Sequence, residues 1–347
     1  MNTNSARLEL AAAGWFSGRQ HRTQSSGGLK IALFEWLSPR GSSPQQIPLL
    51  LVHSVNATAS AFEMEGVAKP QSLRRAVWAL DLPGFGASEK PEKKYTPGQM
   101  REAIETALSF IQHKTGAASI DLMALSLGCE FAAEAAVRKP ARIRSLTLIS
   151  PTGMEGRRRR EHYEEGKTRE LAFMRRLLTM KPIGQTVYKL VTTRPTMRFF
   201  LARAWGRSDF DRRLLAHGLL CASLPGARHA PLDFAAGALF TRGIIERYRA
   251  LPLPVWVVHG TKGAFTDFGA CPDSTGAGAA GRSYPVQRTV FETGSMPHLE
   301  VPHAFDVAYE RFMFSLGTHQ CATPSRQETL RADAVTNPSN SEVIHER

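Results

Sequence analysis

The stretch that decides the fold is Asp121-Leu122-Met123-Ala124-Leu125-Ser126-Leu127-Gly128-Cys129-Glu130. Residues 120–124 have strand character, and an Ala-rich helical pattern follows over residues 131–137. This order predicts a strand that enters a helix through a sharp turn at Ser126, with Gly128 allowing close packing. A serine on such a turn projects its hydroxyl beyond the sheet, and the Leu127 N–H and the helix N-terminus face a developing oxyanion. Ser126 is therefore the candidate nucleophile, and the alternative is that the turn only shapes the top of the sheet.

Short apolar runs bounded by turn residues recur along the rest of the chain. They lie at 47–52, 76–80, 120–125, 143–149 and 253–258. Runs of this kind are typical of strands buried on both faces of a parallel sheet. Helical patterns alternate with them, so the sequence predicts an α/β fold with a mostly parallel central sheet and helices on both faces.

The spacing of these runs suggests how the chain is divided. We expect a core made of residues 29–151 and 251–317, with an Arg-rich helical cap inserted at 152–250. Residues 1–28 form a polar N-terminal segment in this interpretation. The Gly/Ala/Ser-rich stretch at 269–281 predicts a mobile loop. The polar residues 318–347 predict a disordered tail.

The positive charge is concentrated in the predicted cap. The chain has a net charge of +13, and residues 152–250 hold 20 Lys and Arg against 9 Asp and Glu, which is +11 of that total. The run Arg157–Arg160 belongs to this segment, and aromatic residues are interleaved with its charges. Such a face is either solvated or suited to an anionic membrane surface or an acidic substrate. Because no recognised nucleic-acid module accompanies the charge, we expect no nucleic-acid partner.

The cysteines and the hydropathy limit the remaining classes. The four cysteines lie far apart and form no CxxC pair, so neither a zinc site nor a disulfide framework is indicated. No apolar run approaches the roughly 20 residues that a membrane-spanning helix needs. We therefore expect a cytoplasmic protein, soluble or peripheral at a membrane, that uses no metal or organic cofactor.

Four motifs resemble those of capped members of the α/β-hydrolase superfamily. Residues 49–56 (LLLVHSVN) look like its strand and oxyanion loop, and residues 81–88 (DLPGFGAS) are similar to its D-x-P-G-x-G-x-S turn. Residues 124–128 (ALSLG) are similar to its nucleophile elbow, and residues 257–260 (VVHG) look like the strand before its acid loop. The resemblance covers residues 29–316. It is to a branch with His-Ser-Val-Asn in place of the usual His-Gly and with a non-standard acid and base.

The resemblance implies an oxyanion hole and several ligand contacts. The backbone N–H groups of Val55 and Leu127 would hold the oxyanion. Ser54 and Asn56 would donate hydrogen bonds to the substrate, or else satisfy backbone groups of their own turn. His53, at the end of a strand, would orient the loop and would not act as the base.

The acid and the base depart from the family pattern. The family commonly places its acid at the position that Gly263 holds here, and the nearest carboxylate in that loop is Asp267. An alternative acid position, after the preceding strand, holds Ser150. The family base would stand at Ser295, and His298 matches only the second histidine of the G-H-x-P-H-x-E pattern. The resemblance therefore assigns the base to His298 and the acid to Asp267, against the alternatives of a packed histidine and an ordinary loop carboxylate.

Three functions remain open on this sequence. The first is a serine hydrolase that acts on an ester, thioester or similar acyl substrate through Ser126. The second is a non-hydrolytic protein that binds an apolar or lipid-like ligand, at an anionic membrane surface, with a degenerate triad. The third is a lyase or acyl transferase on the same scaffold.

Overall fold

Eight strands form one sheet in the part of the chain that the structure describes. They are β1 (Arg19–Gln24), β2 (Lys30–Trp36), β3 (Leu49–Val52), β4 (Val77–Asp81), β5 (Ile120–Leu125), β6 (Ile143–Ile149), β7 (Val255–Gly260) and β8 (Val286–Phe291). Their order across the sheet is β1-β2-β4-β3-β5-β6-β7-β8. β2 is antiparallel to both β1 and β4, and every other pair is parallel. The predicted mostly parallel α/β sheet is confirmed.

The helices follow the strands in the expected alternation. The helices are α1 (Glu65–Ser72), α2 (Pro97–Thr115), α3 (Gly128–Arg138), α4 (Ala172–Thr179), α5 (Lys181–Val191), α6 (Arg194–Trp205), α7 (Arg212–Ala222), α8 (His229–Ala235), α9 (Ile244–Arg249), α10 (Pro297–Glu300) and α11 (Pro302–Cys321), with 3₁₀ turns at Ala61–Met64 and Pro140–Arg142. None of these helices, over the residues described, is long and apolar enough to cross a bilayer.

This computed structural model describes residues 18–36, 46–154, 161–265, 267–269, 271 and 286–321, with side chains as far as residue 316 in α11. Among these described residues, those from 18 to 306 form one compact unit and those from 307 to 321 form a second. The run Arg157–Arg160, most of the 269–281 stretch and the tail beyond residue 321 lie outside the described residues.

The core strands are apolar because the sheet is covered on both faces. Every residue of β3, β4, β5 and β7 is buried. An uninterrupted apolar run is the sequence pattern that such a strand requires. The C-terminal ends of the parallel strands share one edge of the sheet, and the loops that follow them form the site described below.

Regular elements extend beyond two of the expected boundaries. Residues 1–28 were expected to be a polar segment outside the core, but Arg19–Gln24 forms the edge strand β1. An edge strand keeps one side in solvent, so its polar sequence gives little sign of a strand. At the other end, the last helix extends to Cys321, beyond the boundary expected at residue 317.

Candidate active site

Ser126 lies on a strained turn between β5 and α3. Its backbone φ is 54°, in the left-handed region that costs a non-glycine residue about 1–2 kcal/mol. The Ser126 N–H donates to the Ile149 carbonyl at 2.8 Å, which ties the turn to the end of β6, and the residue is partly exposed. A Cβ at position 128 would lie 2.3 Å from the His53 carbonyl oxygen, so glycine is required there. Strain held in place by neighbouring contacts is typical of a functional residue.

Two backbone donors lie on the loops that follow β3 and β5. β3 and β5 are neighbours, with Val52 opposite Ala124, so the loops that follow them are adjacent. Those loops contain Val55 and Leu127, whose backbone N–H groups have no acceptor among the described residues. Unpaired N–H groups beside a serine are the arrangement that stabilises a tetrahedral oxyanion.

His53 holds the loop after β3 and is fully buried. Its Nε2 accepts the backbone N–H of Leu82 at 3.0 Å, so the ring proton is on Nδ1, which donates to the Ser54 carbonyl. Both ring nitrogens are therefore used within the core. This agrees with the prediction that His53 orients the loop.

Ser54 and Asn56 bond mainly within their own loop. The Ser54 N–H donates to the Glu63 carboxylate at 2.9 Å, and the Asn56 amide donates to the same carboxylate at 2.7 Å and to the Ser54 hydroxyl at 2.9 Å. The Asn56 side-chain oxygen accepts the Thr58 N–H at 2.8 Å. These bonds favour the turn-stabilising interpretation over substrate contact. The buried Glu63 was missed by the sequence analysis, although a lone carboxylate in the apolar run Ala61–Met64 is a usable signal.

His298 is buried away from solvent. Its Nε2 donates to the Glu63 carbonyl at 2.8 Å, while its Nδ1 is buried with no hydrogen-bond partner among the described atoms. Burial lowers the pKa of His298 to about 4, so the ring is neutral near pH 7. A general base needs a neutral ring with a free nitrogen, and in His298 that nitrogen is Nδ1, because Nε2 is held by the Glu63 carbonyl.

Asp267 lies on an exposed part of the loop after β7. Its carboxylate accepts the Gly269 N–H at 3.2 Å, while the neighbouring Phe268 is buried and stacks on His259 with ring centroids 4.2 Å apart. His298 makes no hydrogen bond to Asp267 in the described part of the chain. The structure therefore does not join the predicted acid to the predicted base.

The loops expected to carry the base and the acid hold the C-terminal end of α6. The Arg203 carbonyl accepts the Ala264 N–H at 3.0 Å. The Ala204 carbonyl accepts both the N–H of Ser295 at 2.8 Å and its hydroxyl at 2.9 Å. The last carbonyls of a helix have no partner within the helix, so these bonds satisfy groups that would otherwise be orphaned. We call this set of contacts the α6 anchor.

The anchor leaves no room for the family's acid side chain. Gly263 has a φ of +93°, and a Cβ there would lie 2.7 Å from the Arg203 carbonyl oxygen. A Cβ at Gly294 would lie 2.2 Å from the Ala204 carbonyl oxygen. The alternative acid position also holds a structural hydrogen bond, because the Ser150 hydroxyl donates to the Ser295 carbonyl at 2.8 Å. The departures at 263 and 295 therefore have a structural cause.

A second contact joins residues 152–250 to the segment that follows β3. His217 of α7 stacks on Phe62 with ring centroids 4.6 Å apart, and its Nδ1 lies 3.2 Å from the Ser60 hydroxyl. Burial lowers the pKa of His217 to about 4. A Cβ at Gly218 would lie 2.9 Å from the Thr58 hydroxyl. No local sequence pattern predicts this contact, because it joins positions 157 residues apart.

The D-x-P-G-x-G-x-S turn has a structural role. The Asp81 carboxylate accepts the N–H groups of Ala61 at 2.7 Å and Ala87 at 2.6 Å. A Cβ at Gly86 would lie 2.0 Å from that carboxylate, which explains the glycine. Over the same described ranges, no three His, Cys, Asp or Glu side chains are grouped so that they could share a metal ion.

Comparison with solved structures shows the same fold. A membrane phospholipase A, described as a bacterial virulence factor, superimposes with a TM-score of 0.60 at 21% identity, over 90% of this chain and 91% of that one. The 2-hydroxy-6-oxo-6-phenylhexa-2,4-dienoate hydrolase from Rhodococcus sp. strain RHA1 gives a TM-score of 0.60 at 18% identity, over 85% and 98%. At these identities the likeness concerns the fold alone.

Curated relatives match a shorter part of the chain. The probable lysophospholipase BODYGUARD 3 of Arabidopsis thaliana is 35% identical over 117 residues, which is 33% of this chain and 22% of that protein. The (lyso)-N-acylphosphatidylethanolamine lipase of Homo sapiens is 28% identical over 114 residues, which is 32% of this chain and 33% of that protein. The match thus spans a third or less of these relatives' length. The family model described as alpha/beta hydrolase fold matches residues 47–277, well over half of the chain. The chain therefore belongs to the α/β-hydrolase fold family.

Proposed function

We propose that the protein is a serine hydrolase that cleaves an ester, thioester or similar acyl bond of a lipid-like substrate. The observation that carries the proposal is the strained turn at Ser126, with its partly exposed serine beside unpaired N–H groups. Ser126 Oγ loses its proton to the base and attacks the acyl carbonyl, and the N–H groups of Val55 and Leu127 hold the oxyanion. The alcohol or thiol then leaves with that proton, and water hydrolyses the acyl-enzyme to release the acid and free Ser126. The lipase and lysophospholipase names of the relatives support an acyl substrate.

In this proposal residues 152–250 act as the cap that covers the site and selects the substrate. Two contacts support it: the α6 anchor and the stacking of His217 on Phe62. Activation of Ser126 by His298 would use the ring's Nδ1, which is free of hydrogen bonds among the described atoms, while Nε2 donates to the Glu63 carbonyl. Asp267 would likewise have to move from its exposed loop to act as the orienting acid.

Hydrolysis of a series of esters with increasing acyl-chain length tests the proposal. p-Nitrophenyl esters of increasing acyl length and a lysophosphatidylcholine are incubated with the protein, and released product is measured. We expect hydrolysis that is lost in Ser126→Ala and kept in Ser150→Ala. Ser150 is a matched control because it is the other serine with a positive φ (45°) at the end of a core strand. Equal hydrolysis by the two variants, or none by the parent protein, would remove the proposal.

A second candidate is binding of a lipid-like ligand without turnover, at an anionic membrane surface. It is favoured by the α6 anchor, which uses the acid and base positions, and by the surface of residues 171–206. That segment holds seven Lys and Arg and no Asp or Glu. It also holds many of the exposed large apolar side chains, namely Leu171, Phe173, Met174, Met180, Leu190, Phe199 and Phe200. Exposed apolar side chains among cations suit the interface of an anionic bilayer.

Vesicle co-sedimentation separates the two candidates. The second candidate predicts binding to phosphatidylcholine vesicles that contain phosphatidylglycerol, weaker binding to phosphatidylcholine alone, and full retention of binding in Ser126→Ala. The double variant Phe173→Ser, Phe200→Ser should bind less, whereas Leu73→Ser, exposed elsewhere, should not. Equal binding by all variants would exclude this surface. For both candidate functions we propose a cytoplasmic protein that associates peripherally with a membrane.

A further inference from the structure

We propose that a pocket between α6 and α7 binds a phosphate group, carried on an apolar stem as in a lysophospholipid or free in solution. The pocket has a volume of about 430 Å³ and is lined by residues of α6, of α7 and of the segment that joins them. That volume lies within the roughly 300–1,000 Å³ typical of small-ligand sites. The site contains none of the residues placed around Ser126, so the proposal goes beyond the proposed function and does not depend on it.

The lining of this α6–α7 pocket is strongly cationic. Arg194 and Arg198 lie four residues apart, on one face of α6, and Arg212 is the first residue of α7. None of these three guanidinium groups pairs with a carboxylate among the described residues. Asp209 also lines the pocket, but its carboxylate pairs with Arg207 at 3.1 Å. Three exposed arginines thus outnumber the one carboxylate of the lining, and this excess of positive charge favours an anionic ligand.

Guanidinium groups favour phosphate among anions. Each is a planar fork that donates two parallel N–H bonds, which matches the oxygens of a phosphate. A phosphate monoester carries a charge of about −1.5 to −2 at neutral pH, so it neutralises more of this lining than a carboxylate can. Compared with a carboxylate, it also offers a third terminal oxygen to the third arginine.

The remaining lining is apolar. Phe210 and Leu215 are buried, and Leu219 is partly buried beside them. An apolar wall next to cations accommodates a ligand with a charged head and a hydrocarbon stem. A phosphate-bearing amphiphile therefore uses both halves of the site, while inorganic phosphate uses only one.

Calorimetric titration of the full chain tests this site. The probes are inorganic phosphate, glycerol 3-phosphate, a short-chain 1-acyl-glycerol 3-phosphate below its micelle concentration, and the matching neutral monoacylglycerol. We expect a phosphate probe to bind, and the affinity to fall at least tenfold in the triple variant Arg194→Gln, Arg198→Gln, Arg212→Gln. Tighter binding of the acylated probe than of glycerol 3-phosphate identifies an amphiphile as the source of the phosphate, and equal binding identifies the free ion.

The matched control variant removes three positive charges from exposed positions outside the pocket, on the neighbouring helices α4 and α5. Arg176, Lys181 and Lys189 are exposed residues of α4 and α5 that do not line the pocket. The triple variant of these residues to Gln should change the affinity less than twofold, and Ser126→Ala should leave it unchanged. Equal losses in the two triple variants would show diffuse charge attraction and overturn the site. Tighter binding of the neutral monoacylglycerol, or no binding of any phosphate probe, would overturn it as well.

Discussion

Replacing Gly263 with alanine tests whether the α6 anchor occupies the family's acid position. The new Cβ has two costs. Alanine at a φ of +93° is strained, which costs about 1–2 kcal/mol. The Cβ would also lie 2.7 Å from the Arg203 carbonyl oxygen, so it must displace the end of α6 and weaken the Ala264 bond, at about 0.5–1.5 kcal/mol. We therefore expect Gly263→Ala to lower the free energy of unfolding by about 1.5–3.5 kcal/mol.

Gly116→Ala is the matched control for this variant. Gly116 has a φ of +70° with no atom within 4 Å of its would-be Cβ, so alanine there incurs the backbone strain and no collision. Urea unfolding of both variants should show a loss for Gly263→Ala that exceeds the loss for Gly116→Ala by about 0.5–1.5 kcal/mol. Equal losses would refute the reasoning, because they would mean that α6 does not pack against position 263.

Three further predictions concern the same region. Ser295→Ala removes the hydroxyl bond to the Ala204 carbonyl and should lower the free energy of unfolding by about 1 kcal/mol in urea titration; no change would contradict the anchor. Gly128→Ala places a Cβ 2.3 Å from the His53 carbonyl oxygen, so the midpoint temperature of thermal unfolding and the rate of fluorophosphonate labelling at Ser126 should both fall. Unchanged values of both would mean that the turn tolerates a side chain at position 128. His298 and His217 have pKa values of about 4 in the folded state against 6.5 for the free side chain, so the unfolded chain binds more protons between these values. The free energy of unfolding should therefore be highest above pH 6.5 and fall as the pH decreases toward 4, by up to about 3 kcal/mol for each ring. His298→Gln should flatten this dependence, whereas the same substitution at an exposed histidine, His303→Gln, should not. Equal pH profiles of the two variants would contradict the prediction.

Local patterns predicted the fold and the central turn well. The strand, Ser126 and the helix from Gly128 are consecutive, and the apolar runs identify strands buried on both faces. β1 escaped prediction because an edge strand half in solvent needs no apolar run.

The contacts that determine the chemistry were not predictable in this way. The hydrogen bond from His298 to the Glu63 carbonyl joins residues 235 positions apart, and no local sequence pattern predicts it. The α6 anchor is equally non-local, since a helix end meets two loops that lie about 60 and 90 residues further along the chain. The sequence showed that Gly263 and Ser295 depart from the family pattern. Only the packing of α6 shows what those positions do instead.

The central claim is that Ser126 is a nucleophile, and a covalent trapping measurement tests it most directly. The protein is exposed to a fluorophosphonate probe, its intact mass is recorded, and the modified residue is located by peptide mapping. Our account predicts one adduct, on Ser126, that is absent from Ser126→Ala and retained in Ser150→Ala. An unmodified protein, or an adduct that persists in Ser126→Ala, would contradict it.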